Sequence, residues 1–270
     1  MVSTSGVDGL MKKILSLVLA GIVAFAAPAF AAAPLKVGVS TGPYAEILEF
    51  AAKLYKEKYG DDVKIIEFSD YTLPDAALAQ GDIDFNNYQH LPYLENQNKT
   101  RGYDLVPLEK SIIVPLGVYS KKLTSLEQLP DGARVSIPND PANLSRSLIL
   151  LAQAKLITLP PNAGPQTVVA DVLDNPKHLK FVELDAAQLP RSLDDVDIAV
   201  VTLNYAVASG LDPNKAIFLE GADTPWNLWF VARRSDKDNQ RIWNYIHIYR
   251  SAEVKAFIEK RFGKSIIPTW

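Results

Sequence analysis

Short β-branched segments alternate with amphipathic segments from residue 35 onward, and this alternation limits the fold more than any other feature of the chain. LKVGVST, residues 35–41, predicts a strand that stops at a Gly-Pro turn. The following YAEILEFAAKLYKEKYG predicts a helix, because its apolar residues recur with helical spacing and Gly60 stands where the helix would end. A second strand, DVKIIEFSD, comes next. Strand–helix–strand order at this spacing predicts parallel βαβ units.

The same order recurs through the rest of the chain. SIIVPLGVYS, residues 111–120, predicts a strand that crosses between two lobes. FVELDAAQLPRSLDDVDIAVVTLNYAVASG predicts strand, helix, strand and helix in turn, and NLWFVAR predicts a late strand ahead of two helical stretches. We therefore expect an α/β fold of two lobes that form a hinged clamp with a ligand cleft between them. The expected first lobe is residues 32–118 plus 226–270, and the expected second lobe is residues 119–225.

The N-terminal segment has the pattern of a secretory signal. MKKILSLVLAGIVAFAAPAFA begins with Lys12 and Lys13, continues with an apolar run and ends in an Ala-Phe-Ala exit motif at residues 29–31. The apolar run is shorter than the roughly 20 residues that span a bilayer, which argues against the alternative of a membrane anchor. We expect residues 1–31 to be removed, with residues 1–10 a spurious extension ahead of the signal.

Composition excludes several classes of function. The chain has no cysteine, so it has no disulfide, no thiol nucleophile and no cysteine that could carry a lipid. Its formal net charge is −3, and no basic stretch indicates nucleic-acid binding. No G-x-S-x-G, G-x-G-x-x-G or P-loop motif is present, so we expect neither an enzyme nor a bound cofactor. The paired Asp194 and Asp195 are expected in a solvated turn or at a helix start.

The stretch DFNNYQHLPYLE, residues 84–95, carries three candidate ligand groups within six residues. In an extended chain, Tyr88 and His90 lie on the same face, and Tyr93 follows closely. The residues alone leave a metal site, a catalytic site and an aromatic pocket wall open. A metal site would need further converging ligands, yet His178 and His247 are expected in surface contexts and no dense acidic–histidine cluster is present, so no metal site is expected.

Three long segments resemble one known family. DYTLPDAALAQGDIDFNNYQHLPYL, SIPNDPANLSRSLILL and ELDAAQLPRSLDDVDIAVV are similar to the NlpA-type substrate-binding proteins, and the similarity runs from Leu35 to Trp270. These proteins deliver methionine to an ATP-driven importer. The resemblance implies a two-lobed periplasmic binding-protein clamp of the type II kind. It also implies methionine as ligand and a membrane permease with its ATPase as partners, and we expect the protein to be a monomer.

The resemblance also implies a set of ligand-binding residues. Arg146 would bind the carboxylate of an amino acid with its planar fork, and Asn143, three residues earlier, would share the same start of a helix. Aromatic rings suit a thioether, since sulfur–ring contacts contribute ~0.3–1.5 kcal/mol each. By resemblance, the aromatic cage comprises Tyr71, Tyr88, His90 and Tyr93, with a tyrosine at position 88 where the family more often has phenylalanine. Asn204 and Asn227 match two further polar contacts, the second in a segment that is one residue shorter than the family pattern.

Two alternatives remain open at this point. One is a binding protein of the same fold for another amino acid, a small peptide or a metal chelate. The other is a periplasmic enzyme, which fold alone does not exclude.

The signal pattern leads to a prediction about location. We expect the mature chain to begin near Ala32 and to be released from cells by osmotic shock, because the exit motif at residues 29–31 is followed by no cysteine. N-terminal sequencing determines where the mature chain begins, and cell fractionation determines whether osmotic shock releases it. An intact Lys12–Lys13 segment, or recovery in detergent alone, would contradict this prediction.

Overall fold

The computed structural model of the protein describes residues 33–221 and 224–270. The predicted signal segment, residues 1–31, lies outside these residues. Among the residues that are described, no helix is long and apolar enough to span a membrane.

The strands of the first of two five-stranded sheets are β1 Leu35–Ser40, β2 Val63–Phe68, β3 Phe85–His90, β4 Leu105–Lys110 and β11 Leu228–Arg233. Their order in the sheet is β2-β1-β3-β11-β4. β1, β2 and β3 run parallel, whereas β11 is inserted antiparallel between β3 and β4. The parallel strands confirm the βαβ units predicted from residue 35 onward.

The strands of the second five-stranded sheet are β6 Leu116–Tyr119, β7 Arg134–Pro138, β8 Lys180–Leu184, β9 Ile198–Thr202 and β10 Phe218–Leu219. Their order in the sheet is β10-β6-β9-β7-β8. β7 pairs in parallel with both β8 and β9, and β6 runs antiparallel to β9 and to β10. A short pair, β5 Ile112–Ile113 with β12 Ile267–Pro268, lies next to the point where the chain leaves the first sheet.

Eight α-helices are present in the described part of the chain. The first sheet packs with α1 Tyr44–Tyr59, α2 Leu73–Gln80, α3 Leu91–Arg101, α7 Gln240–Tyr249 and α8 Ala252–Phe262. The second sheet packs with α4 Pro141–Gln153, α5 Leu189–Ser192 and α6 Leu203–Ala208. We call the first sheet with its helices the first lobe, and the second sheet with its helices the second lobe.

The chain passes between the lobes twice in the described residues. The first crossing follows β5 and enters β6 at Leu116, and the second leaves β10 at Leu219 and enters β11 at Leu228. β6 belongs to the second sheet although the sequence placed most of it in the first lobe. The lobe limits at 118/119 and 225/226 stay a prediction.

Helix ends are fixed by local chemistry that the sequence displays. Gly60 adopts a left-handed conformation, with φ 68°, and its N–H bonds back to the carbonyl of Lys56, which ends α1. Asp140 caps α4 by accepting the N–H of Asn143 at 2.9 Å, and Pro141 takes the first helical position, where its missing N–H costs nothing.

The parallel strands place functional residues at one edge of each sheet. Ligands of open α/β sheets bind beyond the carboxyl ends of the strands, where the loops are free to face each other. In the first lobe these ends lead to Tyr44, Tyr71 and His90, and in the second lobe to Asn143 and Asn204. All five line one cavity between the lobes.

Candidate functional site

A cavity of about 20 Å³ lies where the strand ends of the two lobes meet. Seven of the eight residues that the sequence marked as ligand-binding line it: Tyr71, Tyr88, His90, Tyr93, Asn143, Arg146 and Asn204. Five further lining residues were missed: Tyr44, Gln89, Val114, Thr202 and Leu228. The eighth, Asn227, is half-buried on the second crossing and is not among the described lining residues.

Three tyrosine rings form one wall of the cavity. The hydroxyls of Tyr88 and Tyr93 both donate to the backbone carbonyl of Tyr71, at 2.9 and 2.8 Å. The ring centroids lie 6.0–6.1 Å apart, within the range of favourable aromatic contacts. Burial raises the pKa of both donating hydroxyls, so they stay protonated. Because protein acceptors hold these hydroxyls, the wall offers a ligand mainly the carbon surface of its rings.

A bulge interrupts β3 where it reaches the cavity. β11 pairs with Asn87 and then with Gln89, which leaves Tyr88 as an extra residue between them. The consecutive residues Tyr88, Gln89 and His90 all line the cavity. Gln89 is held by a hydrogen bond of 2.6 Å to the fully buried Asp75, whose carboxyl pKa is raised by burial to about 6.

His90 is a neutral imidazole that joins the lobes. Its Nδ1 caps α3 by accepting the N–H of Tyr93 at 3.3 Å, so Nε2 carries the proton and donates to the Asn143 side-chain oxygen at 3.1 Å. Burial and the nearby charge of Arg146 lower the pKa of His90 to about 3. The side chain is therefore a hydrogen-bond donor without charge at neutral pH.

Arg146 is the charged side chain among the described residues that line the cavity. It is 2% exposed, and its Nη2 donates to the carbonyl of Val114 at 2.8 Å. The carboxylate of Glu220 accepts from its Nε at 3.0 Å and from its Nη2 at 2.5 Å. The ring of Trp226 lies 5.6 Å from the guanidinium carbon. Sequence reasoning found the arginine but neither of these partners.

Direct hydrogen bonds hold the lobes together around the cavity. Tyr71 donates to the Asn204 side-chain oxygen at 2.7 Å, so the hydroxyl of Thr202 is the donor in its 2.8 Å contact with Tyr71. The Asn204 amide donates to the carbonyl of Thr41 at 3.4 Å. An added Cβ at Gly42 would lie 3.0 Å from atoms of Asn204, so the lobes approach closely where glycine stands. The cleft is closed in this structure.

Within the described ranges, no group of three or more His, Cys, Asp or Glu residues is placed to hold a metal ion.

Comparisons with known proteins fit this architecture. The profile of the NlpA lipoprotein family matches residues 35–270. The D-methionine-binding lipoprotein MetQ of Salmonella typhimurium is 46% identical over 239 residues, which cover 87% of this chain and 88% of that protein. The MetQ of Escherichia coli strain K12 is 45% identical with the same coverage.

Solved structures agree in fold. A crystal structure of the methionine-binding protein MetQ superposes with a TM-score of 0.84 at 45% identity, covering 87% of this chain and 98% of the other. A nutrient-binding protein from Burkholderia cenocepacia, solved with bound methionine, gives a TM-score of 0.84 at 47% identity and covers 87% and 100% of the two chains. These folds are two-lobed clamps of α/β type, and the predicted fold class is confirmed. The chain belongs to the NlpA lipoprotein family.

The lowered pKa of His90 predicts a pH-dependent contribution to stability. The unfolded imidazole binds a proton near pH 6.5 and the folded one near pH 3, so its stabilising contribution is complete above about pH 6.5. It falls by about 1.4 kcal/mol per pH unit as the pH drops towards 3. Asp75 has the opposite sign, since its raised pKa removes stability as the pH rises through about 6.

Comparing the pH dependence of stability between variants isolates the contribution of His90. Asp75 is present in every variant, so its own pH dependence cancels in the difference. The difference in melting temperature between the parent and His90→Gln should be largest near pH 7–8 and should shrink as the pH falls below about 6. The exposed His247, changed to Gln, serves as control and should give a small difference at every pH. A constant difference for His90→Gln across this range would show that the imidazole is not held neutral.

Proposed function

We propose that the protein is a periplasmic solute-binding protein that binds methionine, or a close analogue, and delivers it to an ABC importer. The observation that carries the proposal is a cavity between the lobes that is lined by a buried guanidinium and by three tyrosine rings. An amino acid with an apolar side chain needs both, namely a cation for its carboxylate and apolar surface for the rest. The relatives named for D-methionine binding and the methionine-bound neighbour support the choice of ligand.

In the proposed complex, Arg146 receives the carboxylate. Asn143, in the first turn of α4, lines the same cavity, while its backbone N–H donates to the Asp140 cap. The wall formed by Tyr71, Tyr88 and Tyr93 takes the thioether, because sulfur packs favourably against ring edges. Head and side chain would then contact different lobes, so the bound ligand stabilises the closed clamp.

Location and partners follow from the same proposal. Relatives described as methionine-binding or outer membrane lipoproteins support a place in the cell envelope. We further propose export by the predicted signal segment, a free rather than lipid-linked mature chain, and a monomer that docks on a permease with its ATPase. We propose binding without catalysis.

The ligand itself is the first test. We expect protein purified without added ligand and then denatured to release methionine, detected by mass spectrometry. Titration calorimetry of stripped protein with the D- and L-enantiomers then gives the preference between them. Release of a different compound, together with no heat from either enantiomer, would contradict the proposed ligand and favour another solute.

Removal of the guanidinium is the second test. Arg146→Ala should weaken methionine binding by ~2–5 kcal/mol, which is about thirty-fold or more, because a buried carboxylate loses its cation. Arg146→Lys should restore only part of the affinity, since an ammonium lacks the planar fork. The matched control is Arg234→Ala, which removes an exposed arginine whose partner is Asp104. Titration calorimetry, with circular dichroism to verify folding, makes the measurement, and parental affinity in Arg146→Ala would remove this residue from the site.

A further inference from the structure

Glu220 does not line the cavity, yet it holds the charged group that does. Its side chain is 6% exposed, and both carboxylate oxygens face one edge of the Arg146 guanidinium, the edge formed by Nε and Nη2. The same carboxylate accepts the backbone N–H of Leu116 at 3.2 Å. A buried carboxylate–guanidinium pair is stabilised by further hydrogen bonds to its other atoms, and here Leu116 donates to Glu220 and Val114 accepts from Nη2 of Arg146.

This arrangement selects which part of the guanidinium remains for a ligand. Nε and Nη2 already donate to Glu220 and to the carbonyl of Val114. For Nη1, the described residues supply no hydrogen-bond acceptor, although Arg146 lines the cavity. The planar group cannot turn without breaking the paired bonds to Glu220, because both run parallel from one fork. The free Nη1 is thus fixed in orientation before a ligand enters.

Both crossings between the lobes converge on this guanidinium. Val114 and Leu116 belong to the first crossing, and Glu220 and Trp226 belong to the second. Arg146 itself comes from α4 of the second lobe. Trp226 contacts the guanidinium carbon at 5.6 Å and the His90 ring at 5.0 Å, and so connects the pair to the first lobe. The orientation of Arg146 is therefore tied to the segments on which a hinge motion would turn.

The pair also sets the charge of the site. The positive charge of Arg146 is matched by the negative charge of Glu220 at 2.5 Å, and the imidazole of His90 is neutral. Two further carboxyls, Asp75 and Asp140, accept hydrogen bonds from the lining residues Gln89 and Asn143, so the region has no excess of positive charge for an anion. A ligand with no net charge adds none to this buried region. An anionic ligand adds one negative charge to this region, and a buried net charge is strongly unfavourable.

We propose that Glu220 is a positioning and specificity-determining residue, which orients Arg146 towards the ligand carboxylate and neutralises it so that the site favours a zwitterion over an anion. The inference rests on the proposed function and names the charge class of ligand that this same site takes.

The test compares two carboxylate ligands in parent and variant. Methionine is a zwitterion, and 4-(methylthio)butanoate is the same skeleton without the ammonium group and is an anion. In Glu220→Gln the shape is kept and the negative charge is lost. We expect methionine affinity to fall about ten-fold or more, whereas the affinity for the anion falls less or rises. The preference, which is the ratio of the methionine affinity to the anion affinity, should therefore decrease about ten-fold or more.

Two further variants distinguish the effect of the Glu220 charge from the effect of its side-chain length and from a general loss of protein stability. Glu220→Asp keeps the charge but is one methylene shorter, so methionine affinity should fall while the preference for methionine stays near the parental value. Asp61→Asn is the matched control, because Asp61 also binds an arginine, Arg241, through both carboxylate oxygens, at 2.8 Å each, away from the cavity. It should lower the melting temperature and leave both ligand affinities unchanged.

The outcomes are distinct. An unchanged preference in Glu220→Gln, whether methionine affinity is kept or both affinities fall equally, overturns the inference while the proposed function stands. A parent protein that binds neither ligand contradicts the proposed function instead. If Glu220→Gln does not fold, Glu220→Asp serves as the test. A methionine affinity in Glu220→Asp equal to that of the parent protein overturns the inference.

Discussion

The buried ion pair between Arg146 and Glu220 is the interaction on which the rest of the site depends. Removing one partner from such a pair leaves an uncompensated charge, which typically costs ~3–5 kcal/mol. Here the pair also binds Val114 and Leu116 on one crossing, while Glu220 itself lies on the other. One interaction therefore fixes the ligand-facing cation and the path of the chain between the lobes.

Polar contacts join the lobes across the cleft, alongside apolar packing such as that of Ala142 against Tyr88 and Tyr93. Tyr71 reaches Asn204 and Thr202, His90 reaches Asn143, and the hydroxyl of Tyr205 reaches the carbonyl of Ser69 at 3.2 Å. Each such bond contributes about 0.5–1.5 kcal/mol net, because water replaces it on opening. A ligand that bridges the lobes can therefore shift the balance towards the closed form.

Much of the fold and most of the site could be predicted from the sequence. Helical periodicity, the glycine at position 60 and the Asp-Pro start of α4 act within a few residues, so their structural effect does not depend on the rest of the chain. Parallel strands place Tyr71 and His90 at one edge of the first sheet and Asn204 at one edge of the second, and these edges meet at the cavity. The family resemblance named seven of the residues that line it. The assignment of Asn227 rested on a shorter local match, and it lies outside the described lining.

The sequence by itself determined the order of elements, the strand ends that meet and the presence of an arginine at the start of α4. Only the tertiary structure decided that this arginine binds Glu220, 74 residues away, and that β3 carries a bulge at Tyr88. The first depends on which crossing segment packs against α4. The second depends on β11, which joins β3 from a distant part of the chain and imposes the bulge at Tyr88. Long-range pairing sets both, and no local pattern encodes it.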